Sequence, residues 1–265
     1  MPFPEARRVI YKRNPLDRVI CQLRFPPILR IDTEIPARFQ DRIRKDFPGF
    51  SEKAELALPV LQRVRKEAPV ELLRQIVPTE TKNYEFSSDD RIWTVNLTRT
   101  SLALTTRRYE RRDEFKKRLK DPLDALVDVY QPTLFSRVGL RYIDIIRRSA
   151  LNLDGVEWSE LLQPYALGML SAPGMSDHIK SLEAKVEILL KDGDSMARVV
   201  TALVDCQWKD KTEECFMIDT DFFTNERTSV PSVWEKLDYF HIRGSRLIQW
   251  LIKPPLHDAM EPETI

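Results

Sequence analysis

Residues 135–148, FSRVGLRYIDIIRR, decide how this chain is read. Alternation puts Val138, Leu140, Tyr142 and Asp144 on one side of an extended segment, and Arg137, Gly139 and Arg141 on the other. Branched and aromatic residues favour a strand, and the two-residue period implies that one side is buried. An earlier stretch, residues 17–25 (DRVICQLRF), has the same character. Val19, Cys21, Leu23 and Phe25 share one side; Ile20, Gln22 and Arg24 share the other. Leu23-Arg24-Phe25 echoes Leu140-Arg141-Tyr142, and a helical stretch follows each. The echo points to an internal duplication, with each strand opening one copy.

Working outward, the first half begins with an extended arm over residues 1–16, where Pro2, Pro4 and Pro15 oppose helix. Pro26 and Pro27 stop the first strand. Phe39, Ile43 and Phe47 make the buried stripe of a helix over 36–47. Residues 54–64 and 69–77 fit either strand or short helix, and the prolines that punctuate both favour strand. A hairpin follows, entering at 84–86, turning at 87–90 and returning over 91–98 with Trp93, Val95 and Leu97 on one side. Residues 101–109 are a further strand. Residues 111–130 are a helix with a kink expected at Asp121-Pro122.

The second half repeats this order. A short helix over 158–162 stops at Pro164, and 165–177 form a loop with a helical turn. Residues 181–190 alternate cleanly, Lys191-Asp192-Gly193-Asp194 is a hairpin turn, and 196–208, apolar on both sides, reads as a central strand. A strand over 215–222 and a long amphipathic helix over 231–252 complete the unit; the tail after Pro254-Pro255 is expected to be loose. The fold class is therefore α+β: a tandem pseudo-repeat of strand, helix, antiparallel strands and helix. Residues 1–133 form the first repeat with its arm and 134–265 the second, building a curved antiparallel sheet with helices on one face. In layout alone this resembles tandem saddle folds of the TATA-binding-protein and helix-grip type.

Composition narrows the function classes. Of 265 residues, 42% are hydrophobic and 31% charged, as in ordinary globular chains. No run approaches the ~18 apolar residues of a membrane span, and the N-terminal residues lack the apolar core of a secretory signal. The three cysteines, Cys21, Cys206 and Cys215, form no C-x-x-C pair, which fits a reducing cytoplasm without a disulfide framework. Residues 1–133 carry 27 Lys and Arg against 20 Asp and Glu; residues 134–265 carry 15 against 21. That split can support contacts between the halves or between copies.

Few residues offer chemistry. His178, His241 and His257 stand at no metal-ligand spacing, seven glycines form no phosphate loop, and no nucleophile elbow is present, so no cofactor is expected. Asp219 and Asp221 share a strand face, with Glu187 and Asp205 as cross-strand candidates; together they would hold a divalent metal in a metal-dependent enzyme. A solvated strand face is the commoner role for such a pair. Asp144 falls in an apolar layer and calls for a partner, for which an arginine is the expected choice. Parity gathers Gln22, Arg24, Arg107, Tyr109, Arg137 and Arg141, with Asn96, on the open side of the sheet. Such a face can hold phosphates and stack bases. Against that, Glu183, Glu187, Asp219 and Asp221 make the second half of this face acidic, which suits a protein partner or a homodimer better than a polyanion.

The stretches Tyr11-Lys12-Arg13-Asn14-Pro15-Leu16, Val19 to Pro26 (VICQLRFP), Phe39-Gln40 and Arg137 to Asp144 (RVGLRYID) carry a resemblance. Through them the chain resembles, along its full length, a sporadically distributed bacterial family of uncharacterised proteins whose members carry Asn or Asp at the place of Asp144. The resemblance implies a bacterial cytoplasmic protein and supplies no activity. Patchy distribution is a habit of toxin–antitoxin and defence genes. The reading is a non-catalytic binding protein that engages a protein partner, antitoxin-like or accessory to defence, away from membranes. The alternatives are a nucleic-acid binder through the arginine face and a metal-dependent enzyme using Asp219 and Asp221.

Overall fold

The structure is a computed structural model that describes residues 2–55, 81–208 and 211–264. Strand β1 is Val9–Tyr11 and β2 is Leu16–Arg24. Helices α1 (Arg30–Thr33) and α2 (Ala37–Ile43) lead to β3 (Gly49–Glu55). Strands β4 (Thr81–Ser87), β5 (Trp93–Thr98) and β6 (Ser101–Thr106) precede the long helix α3 (Arg112–Tyr130). Strand β7 is Arg137–Ile146, followed by short helices α4 (Trp158–Leu161) and α5 (Pro164–Leu167). Then come β8 (Glu183–Leu189), β9 (Ser195–Trp208) and β10 (Lys211–Thr224). Helix α6 (Val233–Leu251), helix α7 (Pro254–Ala259) and β11 (Pro262–Thr264) end the chain.

Nine of these strands form one antiparallel sheet in the order β3-β4-β5-β6-β2-β7-β10-β9-β8. The two stretches with which the sequence was read, β2 and β7, pair with each other at its middle. Cys21 faces Leu140 and Leu23 faces Val138. In each half the last strand, β6 or β10, pairs with the first.

The alternation in β2 and β7 translates into burial. Val19, Cys21, Leu23, Val138 and Leu140 are buried with Val95, Leu97, Leu102 and Leu104 in one continuous core. The helices cover this side. Phe39 of α2 packs on Phe86 of β4, Phe115 of α3 on Trp93 of β5, and Phe240 of α6 on Phe222 of β10. Emptying one such position, as in Leu23→Ala, costs about 2–5 kcal/mol because the lost contacts leave a cavity. The other side of the sheet carries the arginines and acids.

Several expectations need correction. The tail is ordered: Pro254 and Pro255 occupy the first turn of α7, where a missing N–H costs nothing, and β11 pairs with β1. Pro164 likewise starts α5 rather than only stopping α4. Helix α3 is one element from Arg112 to Tyr130 with Pro122 buried inside it, so Asp121-Pro122 does not start a separate helix. Strand β8 buries neither side, because it is the outer strand and its apolar residues Val186 and Leu189 are exposed. Strand β9 lies next to it, paired on both edges but not central. The strands read over 54–64 and 69–77 lie outside the described residues, apart from the end of β3.

Candidate functional site

The open face brings together most of the residues that parity had gathered. Arg24 Nε and Arg137 Nη1 both donate to Gln22 Oε1, at 3.1 and 3.2 Å. Arg137 Nη2 also donates to both oxygens of Asp221, at 3.0 and 2.8 Å. Arg141 Nε donates to Asp219 Oδ1 at 2.6 Å, and its Nη2 meets Oδ2. Gly139 lets the Arg137 guanidinium lie across the strand, for a Cβ there would stand 2.2 Å from Nη1. Phe223 lies between two cations, Arg137 and Arg198, whose guanidinium carbons are 4.9 and 5.3 Å from its ring centre. Arg198 in turn donates to Glu187 at 2.9 Å.

Asp219 and Asp221 are thus occupied by guanidinium groups that fork onto both their oxygens. A divalent ion would have to displace both, and among the described residues no group of three or more His, Cys, Asp and Glu is placed to hold a metal. Arg107 does not join the cluster. It is exposed just past the end of β6, at the end of that strand far from Ser101, the residue opposite Arg24.

Tyr109 is not on this face at all. Strand β6 ends at Thr106, so alternation no longer fixes where residue 109 points. It turns to the helix side and packs edge-on against Tyr142, ring centres 6.1 Å apart, and against Phe115. The hydroxyls of Tyr142 and Tyr109 stand 3.1 and 3.5 Å from His241 Nδ1 on α6. Burial, aided by the Arg112 and Arg8 charges, pulls the His241 pKa down to about 4, so the imidazole is neutral near pH 7. Burial raises the phenols of Tyr109 and Tyr142 above their ordinary value.

These residues line one end of a cavity of about 710 Å³ between β7, β10, α6 and the N-terminal arm. Its floor is the helix side of the sheet: Tyr142 and Asp144 from β7, Ile218, Thr220 and Phe222 from β10. Helix α6 supplies His241, Ile242 and Gly244. Strand β1 and the turn after it close the rest with Tyr11, Asn14 and Leu16.

The arm is held from several directions. Phe3 is buried against Trp250, Gln249 Nε2 donates to the Arg7 carbonyl at 3.2 Å, and Tyr11 Oη lies 2.8 Å from His257 Nδ1. Strand β1 pairs with β11, Ile10 facing Glu263. The C-terminal end therefore holds in place the arm that lines the cavity.

Asp144 is the chemical feature of the floor. It is 6% exposed. Burial, and then the Asp219 carboxylate across the strand pair, push its pKa up to about 7. Among the described residues no arginine offsets these effects, so the partner expected for it is not there. Of the other charged residues of the wall, Arg8, Glu110, Arg111 and Asp113 are exposed, Asp238 is held by Arg112 and Lys116, and Arg246 meets Glu5 at 3.7 Å.

The sequence did not single out His241, Tyr11 or the cavity. One signal was present: Gly244 stands inside an amphipathic helical stretch, where glycine costs about 1 kcal/mol and so marks a close approach. No family model matches the chain, and no curated protein does either. Among the described residues no helix is long and apolar enough to cross a membrane.

Proposed function

We propose that this chain is a non-catalytic binding protein that takes a small molecule into the cavity between β7, β10 and α6. One observation carries the reading: a cavity of about 710 Å³ is floored by a buried acid and walled by apolar and aromatic side chains. Volumes of roughly 300–1,000 Å³ with a few placed polar groups are typical of ligand sites. Among the described residues that line the cavity, no serine, threonine or cysteine is hydrogen-bonded to a base. His241 faces phenols, and Asp144 lies among apolar neighbours. The test is a thermal-shift and calorimetric screen of a small-molecule library against the full chain and two blocked variants, Thr220→Trp and Ile242→Trp. Ligands that stabilise the wild type and fail on both variants support the reading. Ligands that bind all three equally would remove it.

A second reading keeps the protein partner. Strand β8 presents an outer edge with Val186 and Leu189 exposed, and such edges accept a further strand. An antitoxin-like or defence-accessory role in a bacterial cytoplasm, or a homodimer, would use it. Light scattering and affinity capture with Val186→Lys as control decide this. A monomer that captures nothing stoichiometric, with or without the substitution, removes it. The nucleic-acid and metal readings have less support, because Arg137 and Arg141 and the acids Asp219 and Asp221 neutralise one another.

The duplication belongs with these proposals. Its support is topological: in each half the first strand is innermost and the last strand returns beside it.

A further inference from the structure

The cavity's chemistry narrows its ligand, an inference that rests on the small-molecule reading above. Among the described residues, Asp144 is the only charged one that β7 and β10 turn into the cavity, and it is more than nine-tenths buried. A buried carboxyl without a donor is costly, because desolvation is not returned by a hydrogen bond. A ligand that brings the donor removes that cost on binding. The nearby carboxylate of Asp219 points to the other side of the sheet, where Arg141 holds it, so Asp144 is the acid that faces the cavity. Beside Asp144 lie Leu16 and Ile218, its partners in β2 and β10, and then Tyr142 and Thr220; Ile242 and Ile248 line the cavity from α6. Arginines do line the cavity, but Arg112 is paired with Asp238, Arg246 meets Glu5 at 3.7 Å, and Arg8 and Arg111 are exposed.

We infer that the cavity receives an amphipathic molecule with a cationic nitrogen, which reaches Asp144, and an apolar body, which lies between the sheet and α6. The nitrogen donates to the Asp144 carboxylate, and the neighbouring Tyr142 ring adds to the attraction for a cation. An anionic head group would meet Asp144 with no cation beside it.

The probes are three molecules with one apolar tail: n-octylammonium, n-octanol and n-octanoate, each below its micelle concentration. Binding is measured by calorimetry at pH 8 to the full chain, to Asp144→Asn and to Ile242→Trp. The expected result is octylammonium binding at least about tenfold more tightly than octanol, as a charged hydrogen bond provides. In Asp144→Asn that preference should vanish while octanol still binds. The substitution conserves volume and removes a buried charge, so it should fold; an unchanged circular dichroism spectrum checks this.

Octanol and octylammonium binding equally, both blocked by Ile242→Trp, would overturn the cationic ligand and leave the cavity reading standing. Octanoate binding most tightly would also overturn it, as would a preference that survives in Asp144→Asn. Binding of none of the three would take the cavity reading down as well.

Discussion

Gly244 of α6 lies so close to Tyr142 of β7 that a Cβ on it would stand 2.9 Å from the tyrosine ring edge and 3.5 Å from Phe222. Helix and sheet meet at this contact, beside the cavity. Gly244→Ala gains about 1 kcal/mol of helix propensity. It also forces the Tyr142 ring to move, and overpacking costs about 1–3 kcal/mol. The ring is fixed by Tyr109 and His241, so the second effect should win. Urea denaturation should show a net loss of about 1 kcal/mol. A stabilised variant would mean that the ring gives way freely.

Asp144 and His241 should push stability in opposite directions. The folded pKa of Asp144 is raised from 3.8 to about 7, so its contribution is full below pH 4 and is lost as pH rises to 7. The size is roughly 4 kcal/mol at most. His241 is depressed from 6.5 to about 4, so its contribution is full above pH 6.5 and is lost as pH falls to 4. From pH 4 to 6.5 the two slopes oppose. Asp144→Asn should therefore be more acid-sensitive than wild type over this range, and His241→Gln should become more stable toward pH 4. Melting temperatures of the three proteins from pH 4 to 8 check this, and parallel profiles would refute it.

Arg137 and Asp221 are both largely buried, at 15% side-chain exposure each. Arg137→Ala strands the carboxylate and should cost about 2–4 kcal/mol. Arg24→Ala, on an exposed side chain, should stay within about 0.5 kcal/mol. A double-mutant cycle of Arg137→Ala with Asp221→Ala should return a coupling of roughly 1–3 kcal/mol. The same neutralisation implies that a single-stranded oligonucleotide binds weakly, and Arg141→Ala should not change that binding in low salt. A steep salt slope that Arg141→Ala reduces would restore the nucleic-acid reading.

Tyr11, which lines the cavity, ties the arm to His257 of α7. Tyr11→Phe removes this hydrogen bond and should cost about 1 kcal/mol. The loss should be local. Hydrogen exchange of the amides in β1 and β11 should speed up while β7 keeps its protection. Uniform acceleration through β7 would mean that the arm supports the whole sheet.

How much was legible depends on distance along the chain. Period-two alternation is a local property, so the buried sides of β2 and β7 could be read directly, with Val19, Cys21, Leu23, Val138 and Leu140 where parity puts them. The same holds for the stripe of α6, where Val233, Leu237, Phe240, Leu247 and Leu251 are buried. Alternation fails where the strand stops, which is why Tyr109, three residues past Thr106, faces the helices. Prolines were ambiguous because one residue type both ends a helix and begins one, and Pro164, Pro254 and Pro255 begin them.

The sequence by itself determined which residues lie on each side of each strand, because that follows from backbone geometry within a few residues. Only the tertiary structure decided what those residues meet. Strand register sets Arg137 and Arg141 against Asp221 and Asp219, 84 and 78 residues away. The pairing of β1 with β11 brings Tyr11 to His257 and fixes the arm along the cavity that Asp144 lines. Such contacts come from packing the whole sheet against its helices, a condition that no local pattern encodes.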